Sequence, residues 1–176
     1  MKLAIFGGSF DPPHIGHKNI ITSALNHLDI DKLVIMPTFL NPFKSEVFAP
    51  ATKRLEWLEM MCQDLDKVEV SSFEINQNEP SFTINTIKHF EKSAEKVYFI
   101  IGADNLYYLE KWHKFDEIDK KVQWVVATRD NIEIPSQYIK LFVDVTISSS
   151  ELRSELIEKY IDKNIANSVQ AYYKET

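Results

Sequence analysis

Lys2-Leu3-Ala4-Ile5-Phe6-Gly7-Gly8-Ser9-Phe10-Asp11-Pro12-Pro13-His14-Ile15-Gly16-His17 is the stretch around which this chain is organised. Leu3 to Phe6 is an apolar run with the length and bounding glycines of a buried strand. Gly7 and Gly8 allow a tight exit from it and leave room for a phosphate against bare backbone. Beyond the prolines, Ile20, Ile21, Ala24, Leu25 and Leu28 repeat at helical spacing. The order is therefore strand, glycine loop, two histidines and helix. A helix start carries unpaired N–H groups and the positive end of the macrodipole, which makes it an anion site. His14 and His17 lie one turn apart and can address one ligand. Taken singly, each is an ordinary histidine at a helix start; together with Gly8, Phe10, Asp11 and Gly16 they indicate phosphate handling. Neither the dinucleotide G-x-G-x-x-G nor a Walker G-K-[ST] occurs here.

Working outward, a length of 176 residues suits one domain with a proper core. Hydrophobic residues at 44% and charged residues at 26% fit a soluble globular protein. The net charge of −6, from 20 basic and 26 acidic residues, argues against a nucleic-acid partner. A protein that handles phosphate must then concentrate positive charge locally, in loops near the strand ends. The lone cysteine, Cys62, cannot form an internal disulfide and reads as core. No apolar run is long enough to span a membrane, and Met1 leads directly into the first strand. A cytoplasmic protein without a membrane partner is the expectation, and the oligomeric state is left open.

Lys32 to Pro37 reads as a second strand, parallel to the first through a right-handed crossover. A proline-rich loop, residues 38–50, follows and carries Lys44 at the edge where open α/β sheets bind ligands. Ala51 to Leu65 is an amphipathic helix with Leu55, Leu58, Cys62 and Leu65 on one face. Arg54 sits in its first turn, where the macrodipole disfavours a cation; an ion pair with a nearby acid and a contact with substrate phosphate are both open. Val68 to Phe73 reads as the third strand and Glu74 to Pro80 as a polar loop. Ser81-Phe82-Thr83-Ile84-Asn85-Thr86 opens a short helix, with Ser81 or Thr83 either capping it or holding a substrate group.

Val97 to Ile101 is the clearest buried strand, and Gly102-Ala103-Asp104 ends it. Asp104 can take ribose hydroxyls or a metal, or cap the following helix, on which Tyr107, Tyr108 and Trp112 are expected. Those aromatics suit a core, but the polar neighbours of Trp112 (Glu110, Lys111 and His113) favour its partial exposure. Trp124 to Thr128 is a fifth strand ending at Arg129, and Leu141 to Val145 a short sixth. Ser148 with Glu151 forms a capping box opening a helix, whose buried face is Leu152, Leu156, Ile157 and Tyr160. Arg153 is again a cation in a first turn, disfavoured unless an anion is close. A last helix runs from about Asn164 to Tyr173.

The opening residues resemble the G-x-F-D-P-x-H-x-G-H signature of the HxGH nucleotidyltransferases. Ile147-Ser148-Ser149-x-x-x-Arg153 resembles the closing motif of the same superfamily. Three internal stretches resemble bacterial nicotinate-nucleotide adenylyltransferases more narrowly. Asn41-Pro42-Phe43-Lys44 is similar to that family's P-P-H-K loop. Ser81 to Thr86 is similar to S-Y-T-x-D-T, and Ile100-Ile101-Gly102-Ala103-Asp104 with Trp112 to I-G-A-D followed by Trp. Phe43 for His, Asn85 for Asp, and Thr128-Arg129-Asp130 in place of R-P-G depart from the pattern. They bear on substrate affinity, not on the shared nucleotidyl-transfer motifs.

The resemblance implies an α/β, Rossmann-like nucleotidyltransferase fold over residues 1–176. A mostly parallel sheet would have helices on both faces, with the C-terminal helices from about residue 149. It implies transfer of AMP from ATP to nicotinate mononucleotide, giving nicotinate adenine dinucleotide and pyrophosphate. His14, His17, Lys44 and Arg153 would be catalytic. Gly7, Gly8, Ser9, Phe10, Gly16, Gly102, Asp104, Ile147, Ser148 and Ser149 would hold ATP. Lys44, Thr83, Tyr108, Trp112 and Arg129 would hold the mononucleotide, with the pyridine ring on Trp112. Mg²⁺ would ride on the ATP phosphates, without a dedicated protein cage. The alternatives are another HxGH enzyme, such as phosphopantetheine adenylyltransferase or a cytidylyltransferase, and a nucleotide-binding regulator without catalysis.

Overall fold

The computed structural model describes residues 1–40, 47–129, 132–144, 147–155 and 158–175. Strands β1 (Lys2–Gly8), β2 (Lys32–Pro37) and β3 (Val68–Val70) alternate with helices α1 (Ile15–His27) and α2 (Ala51–Cys62). Helix α3 (Thr83–Phe90), β4 (Lys96–Gly102), α4 (Phe115–Asp119) and β5 (Gln123–Ala127) follow. The described chain closes with β6 (Ile139–Leu141), α5 (Ser149–Glu155) and α6 (Ala166–Glu175). All six strands pair in parallel in the order β3-β2-β1-β4-β5-β6.

Side chains alternate across a strand, so a sheet covered on both faces needs strands that are apolar throughout. Ala4, Phe6, Leu33, Ile35, Tyr98, Ile100 and Val125 point into one core with Ile21 of α1, Trp57 and Leu58 of α2, and Val169 of α6. Leu3, Ile5, Val34, Met36, Val97, Phe99, Ile101 and Val126 point into the other, with Ile84 and Ile87 of α3 and Ile118 of α4. Trp57 Nε1 donates to Ser168 Oγ at 2.9 Å, docking α6 on α2. The strand order reverses between β1 and β4. That is the topological switch point, and a crevice opens there at the carboxyl ends of the strands.

Several local expectations change. Strand β1 continues through Gly7 and Gly8, which therefore make no turn. What matters at Gly8 is room, since a Cβ there would come within 3.0 Å of the Phe10 ring. The third strand stops at Val70. The sixth lies at Ile139–Leu141, earlier than expected, where it pairs with Val125–Ala127. The region of Tyr107 to Trp112 forms two short 3₁₀ turns, Ala103–Tyr107 and Leu109–Lys111, instead of a helix. Helix α3 has Phe82 at its N-cap and no side-chain capping bond, so neither Ser81 nor Thr83 caps it. The capping box at α5 forms: Ser148 N and Oγ donate to Glu151 Oε2 at 2.7 and 2.5 Å, and Glu151 N donates to Ser148 Oγ at 3.1 Å. Cys62 is buried in the core, and burial pushes its thiol up to about 11. Lys44 and its loop neighbours Asn41 to Phe43, together with Val145, Leu156 and Ile157, lie outside the described residues.

Candidate active site at the sheet's switch point

His14 is the N-cap of α1, with extended backbone, and it is almost fully buried. The two histidines cap the helix reciprocally: His17 N donates to His14 Nδ1 at 3.4 Å, and His14 N to His17 Nδ1 at 3.2 Å. Their rings stack with centroids 3.7 Å apart. Because each Nδ1 accepts, the proton of each neutral ring belongs on Nε2, so each ring offers one N–H donor. Burial, with Arg129 adding to it, pulls His14 down to about 4, and the ring is neutral at physiological pH. A neutral ring can still donate through Nε2, and no proton need leave it.

The glycine loop is shaped around these rings. A Cβ on Gly16 would stand 3.0 Å from the His14 ring and 3.3 Å from Ile147 Cγ2, so the bare residue lets α1 start against both. Phe10 adopts φ 49°, a region that disfavours bulky side chains. Its burial, with edge contacts to Phe6 at 5.3 Å and His17 at 4.8 Å, holds it there.

A cleft of about 620 Å³ opens over these elements, large enough for a nucleotide. Its wall gathers Gly7, Gly8, Ser9, Phe10, His14, Gly16 and His17 from the β1–α1 connection. It takes Thr83 from α3, Gly102 and Asp104 after β4, Trp112, and Arg129 after β5. Ile147, Ser148 and Ser149 come from the start of α5. Arg129 brings a cation to this wall despite the acidic whole, and the rings of His14, His17 and His113 add nitrogen donors beside it. Asp104 pairs with Arg129 at 3.5 Å, which ties the ends of β4 and β5 together. Trp112 is half-buried, packed edge-on against Phe99 at 6.2 Å and Trp124 at 6.0 Å.

Other candidates lie elsewhere. Tyr108 is 58% exposed, off the cleft wall, with Lys111 Nζ 5.6 Å from its ring centre. Arg153 is off the wall too: Nη1 donates to the Asp11 carbonyl, Nη2 to Ser150 Oγ at 3.2 Å, and the guanidinium lies 3.9 Å over the Phe48 ring. Of the two roles left open for Arg54, the structure favours the nearby acid: the charge of Asp11 acts on its guanidinium, which is aimed inward. Fully buried, it donates to the carbonyls of Ala49 (3.0 Å), Ser9 (2.6 Å) and Phe39 (2.9 Å). Inward direction, three carbonyls and the charge of Asp11 explain a cation in a first turn without a bound phosphate.

Glu74, His113, Phe82 and Thr38 line the cleft without having been singled out. Glu74 is buried, accepts from Thr86 Oγ1, and is pushed up to about 7 by burial. Nothing in the polar run from Glu74 to Pro80 distinguished it from its solvated neighbours. His113 was noticed only as a polar neighbour of Trp112. The buried Thr38 hydroxyl has no hydrogen-bond partner among the described residues. Among the described residues no cluster of three or more His, Cys, Asp or Glu could hold a metal ion, and no helix is long and apolar enough to cross a membrane.

The switch-point crevice, the bare glycine loop and the donors at the start of α1 define a nucleotidyl-transferring α/β protein. In agreement, the cytidylyltransferase-like family model matches residues 5–155. A relative from Sulfurimonas denitrificans, named "Probable nicotinate-nucleotide adenylyltransferase", is 49% identical over 98% of this chain and 95% of its own. One of the same name from Campylobacter fetus is 51% identical over 99% of this chain and 98% of its own. The chain belongs to the nicotinate-nucleotide adenylyltransferase family, within the cytidylyltransferase-like nucleotidyltransferases. The fold is shared with Plasmodium falciparum nicotinic acid mononucleotide adenylyltransferase complexed with NaAD, at TM-score 0.80 and 19% identity, covering 99% of this chain and 98% of that one.

Proposed function

We propose that this chain transfers AMP from ATP to nicotinate mononucleotide, yielding nicotinate adenine dinucleotide and pyrophosphate, with residues 1–176 acting as one catalytic unit in the cytoplasm. The observation that carries this reading is the reciprocally capped histidine pair on the wall of the same cleft as Thr83 and Trp112. One cleft thus joins a phosphate-donor site to an aromatic wall fit for a second ring.

The mononucleotide's phosphate oxygen attacks the α-phosphorus of ATP; the bond from that phosphorus to the bridging oxygen breaks, and pyrophosphate leaves with the electron pair. The nucleophile is already ionised at neutral pH, so no general base is required. The protein's task is to bring two polyanions together and to stabilise charge on the α-phosphate. His14 donates Nε2–H to an α-phosphate oxygen as charge builds there. His17 and the free N–H groups of α1 hold the phosphate chain, with Ser148 and Ser149 at the start of α5. Gly102 and Asp104 face the adenosine end, where the Asp104–Arg129 pair presents a carboxylate to hydroxyls.

Arg153 and Lys44 reach the β- and γ-phosphates. Arg153 would do so after giving up the Asp11 carbonyl, an exchange of one acceptor for a charged one. Mg²⁺ would be held by the ATP phosphates and would offset their charge. The pyridine ring stacks on Trp112, and its carboxylate meets Thr83 and N–H groups at the start of α3, with Arg129 toward the phosphate. N–H donors suit a carboxylate better than an amide, which brings donors of its own.

Incubation with ATP and nicotinate mononucleotide should yield one pyrophosphate per dinucleotide. Trp112→Ala should raise KM for the mononucleotide about 10-fold or more, with KM for ATP little changed, since a lost aromatic stack is worth about 1–3 kcal/mol. Steady-state kinetics with each substrate varied in turn decides this, and a shift in the ATP constant instead would remove Trp112 from the acceptor site.

A further inference from the structure

We propose that the end of the C-terminal helix is a working part of the transfer site, with Tyr173 acting through Asp11 as a positioning residue for the loop that carries His14. This rests on the reading of His14 given above.

Asp11 is almost fully buried, and both carboxylate oxygens are occupied. Oδ2 accepts from Phe48 N at 2.7 Å; Oδ1 accepts from Ala49 N at 2.9 Å and from the Tyr173 hydroxyl at 2.9 Å. A buried carboxylate is tolerated only when its acceptors are filled and its charge is offset. The offset comes from Arg54, whose guanidinium is itself buried; burial pulls its pKa down, and the charge of Asp11 opposes that and favours the cation. One point in the molecule therefore joins the loop after β1, the entry to α2 and the end of α6. Tyr173 is 162 residues from Asp11 in sequence. Burial and the charge of Asp11 both push its phenol up, so it stays protonated and donates.

The link from Asp11 to His14 is short and stiff. Pro12 and Pro13 fix φ at both intervening positions, so displacement of Asp11 carries to the N-cap of α1 with little loss. Ser149 Oγ holds the Pro12 carbonyl at 2.9 Å, and Arg153 holds that of Asp11 until it turns to the phosphates. Asp11 thus sets where His14 stands, and Tyr173 is the tether to Asp11 that comes from the distal end of the chain. A misplacement of about 1 Å at a reacting centre can lower a rate about 100-fold, so losing the Tyr173 tether should show in turnover.

Tyr173→Phe removes only the hydroxyl. Ser168→Ala serves as its control, since it too removes one hydrogen bond that docks α6, that from Trp57, and does so away from Asp11. Both variants should lower the thermal midpoint by no more than about 4 °C. Tyr173→Phe should lower kcat about 10-fold with KM for the mononucleotide unchanged, whereas Ser168→Ala should keep wild-type kcat. Equal kcat in the two variants, whether both normal or both reduced, would assign Tyr173 a merely structural role and overturn the proposal. His14→Ala measured alongside separates the layers: if it is slow and Tyr173→Phe is normal, the proposal fails and the reading of His14 stands. If His14→Ala turns over normally, both fail.

Discussion

His14→Ala is expected to lower kcat about 10²–10³-fold, the loss seen when a donor to developing transition-state charge is removed. KM for ATP should change far less, because His17, the start of α1 and the serines of α5 still hold the phosphates. His14 also caps α1, so alanine should cost about 1 kcal/mol of stability as well. His14→Asn separates the two effects: its side-chain oxygen can still accept from His17 N, but it lacks the Nε2–H. A stable, slow asparagine variant is the expected result, read from kcat beside a thermal melt. Because the folded ring titrates at about 4, kcat should show no His14-dependent step between pH 6 and 8. A step near 6.5 that vanishes in the asparagine variant would place a protonated ring in the reaction, against this account.

Glu74→Gln is expected to stabilise the protein at alkaline pH by up to about 3 kcal/mol, from the interval between the ordinary 4.5 and about 7 in the fold. Between those values the folded chain keeps a proton that the unfolded chain has lost. Stability therefore falls as pH rises from 4.5 to about 7, and the full loss is present above that. Glutamine keeps an acceptor for the Thr86 hydroxyl and cannot ionise. His14 works in the opposite sense. Its folded value of about 4 lies below the ordinary 6.5, so its contribution is complete above 6.5 and is lost as pH falls toward 4. In the wild type the two slopes largely cancel between 4.5 and 6.5. In Glu74→Gln the rising His14 limb should stand alone. Thermal midpoints from pH 4 to 8 check this, and parallel curves for the two proteins would refute the buried neutral carboxyl.

Strands β1, β2, β4 and β5 were legible because burial on both faces writes them as continuous apolar runs, and the glycine–histidine stretch placed the site on their edge. Strands β3 and β6, three residues each, sit at the sheet's rims and leave no such run, and β6 was accordingly misplaced. Tyr107 to Trp112 has helical spacing, yet its tertiary contacts tuck Leu109 and Trp112 inward through 3₁₀ turns and leave Tyr107 and Tyr108 exposed. Arg54 shows a different limit. Its place in a first turn was correctly marked as unusual, but its partners are loop carbonyls, and carbonyl directions are not written in residue types. Glu74 and the Asp11–Tyr173 bond depend on packing between segments 12 and 162 residues apart, beyond the reach of local pattern.

Initial rates of pyrophosphate release from ATP, with nicotinate mononucleotide, nicotinamide mononucleotide and phosphopantetheine as separate acceptors, test the central claim most directly. The highest kcat/KM should belong to nicotinate mononucleotide, with its amide counterpart well below and phosphopantetheine inert. A higher kcat/KM for either of the other two, or ATP binding without pyrophosphate from any of the three, would contradict it.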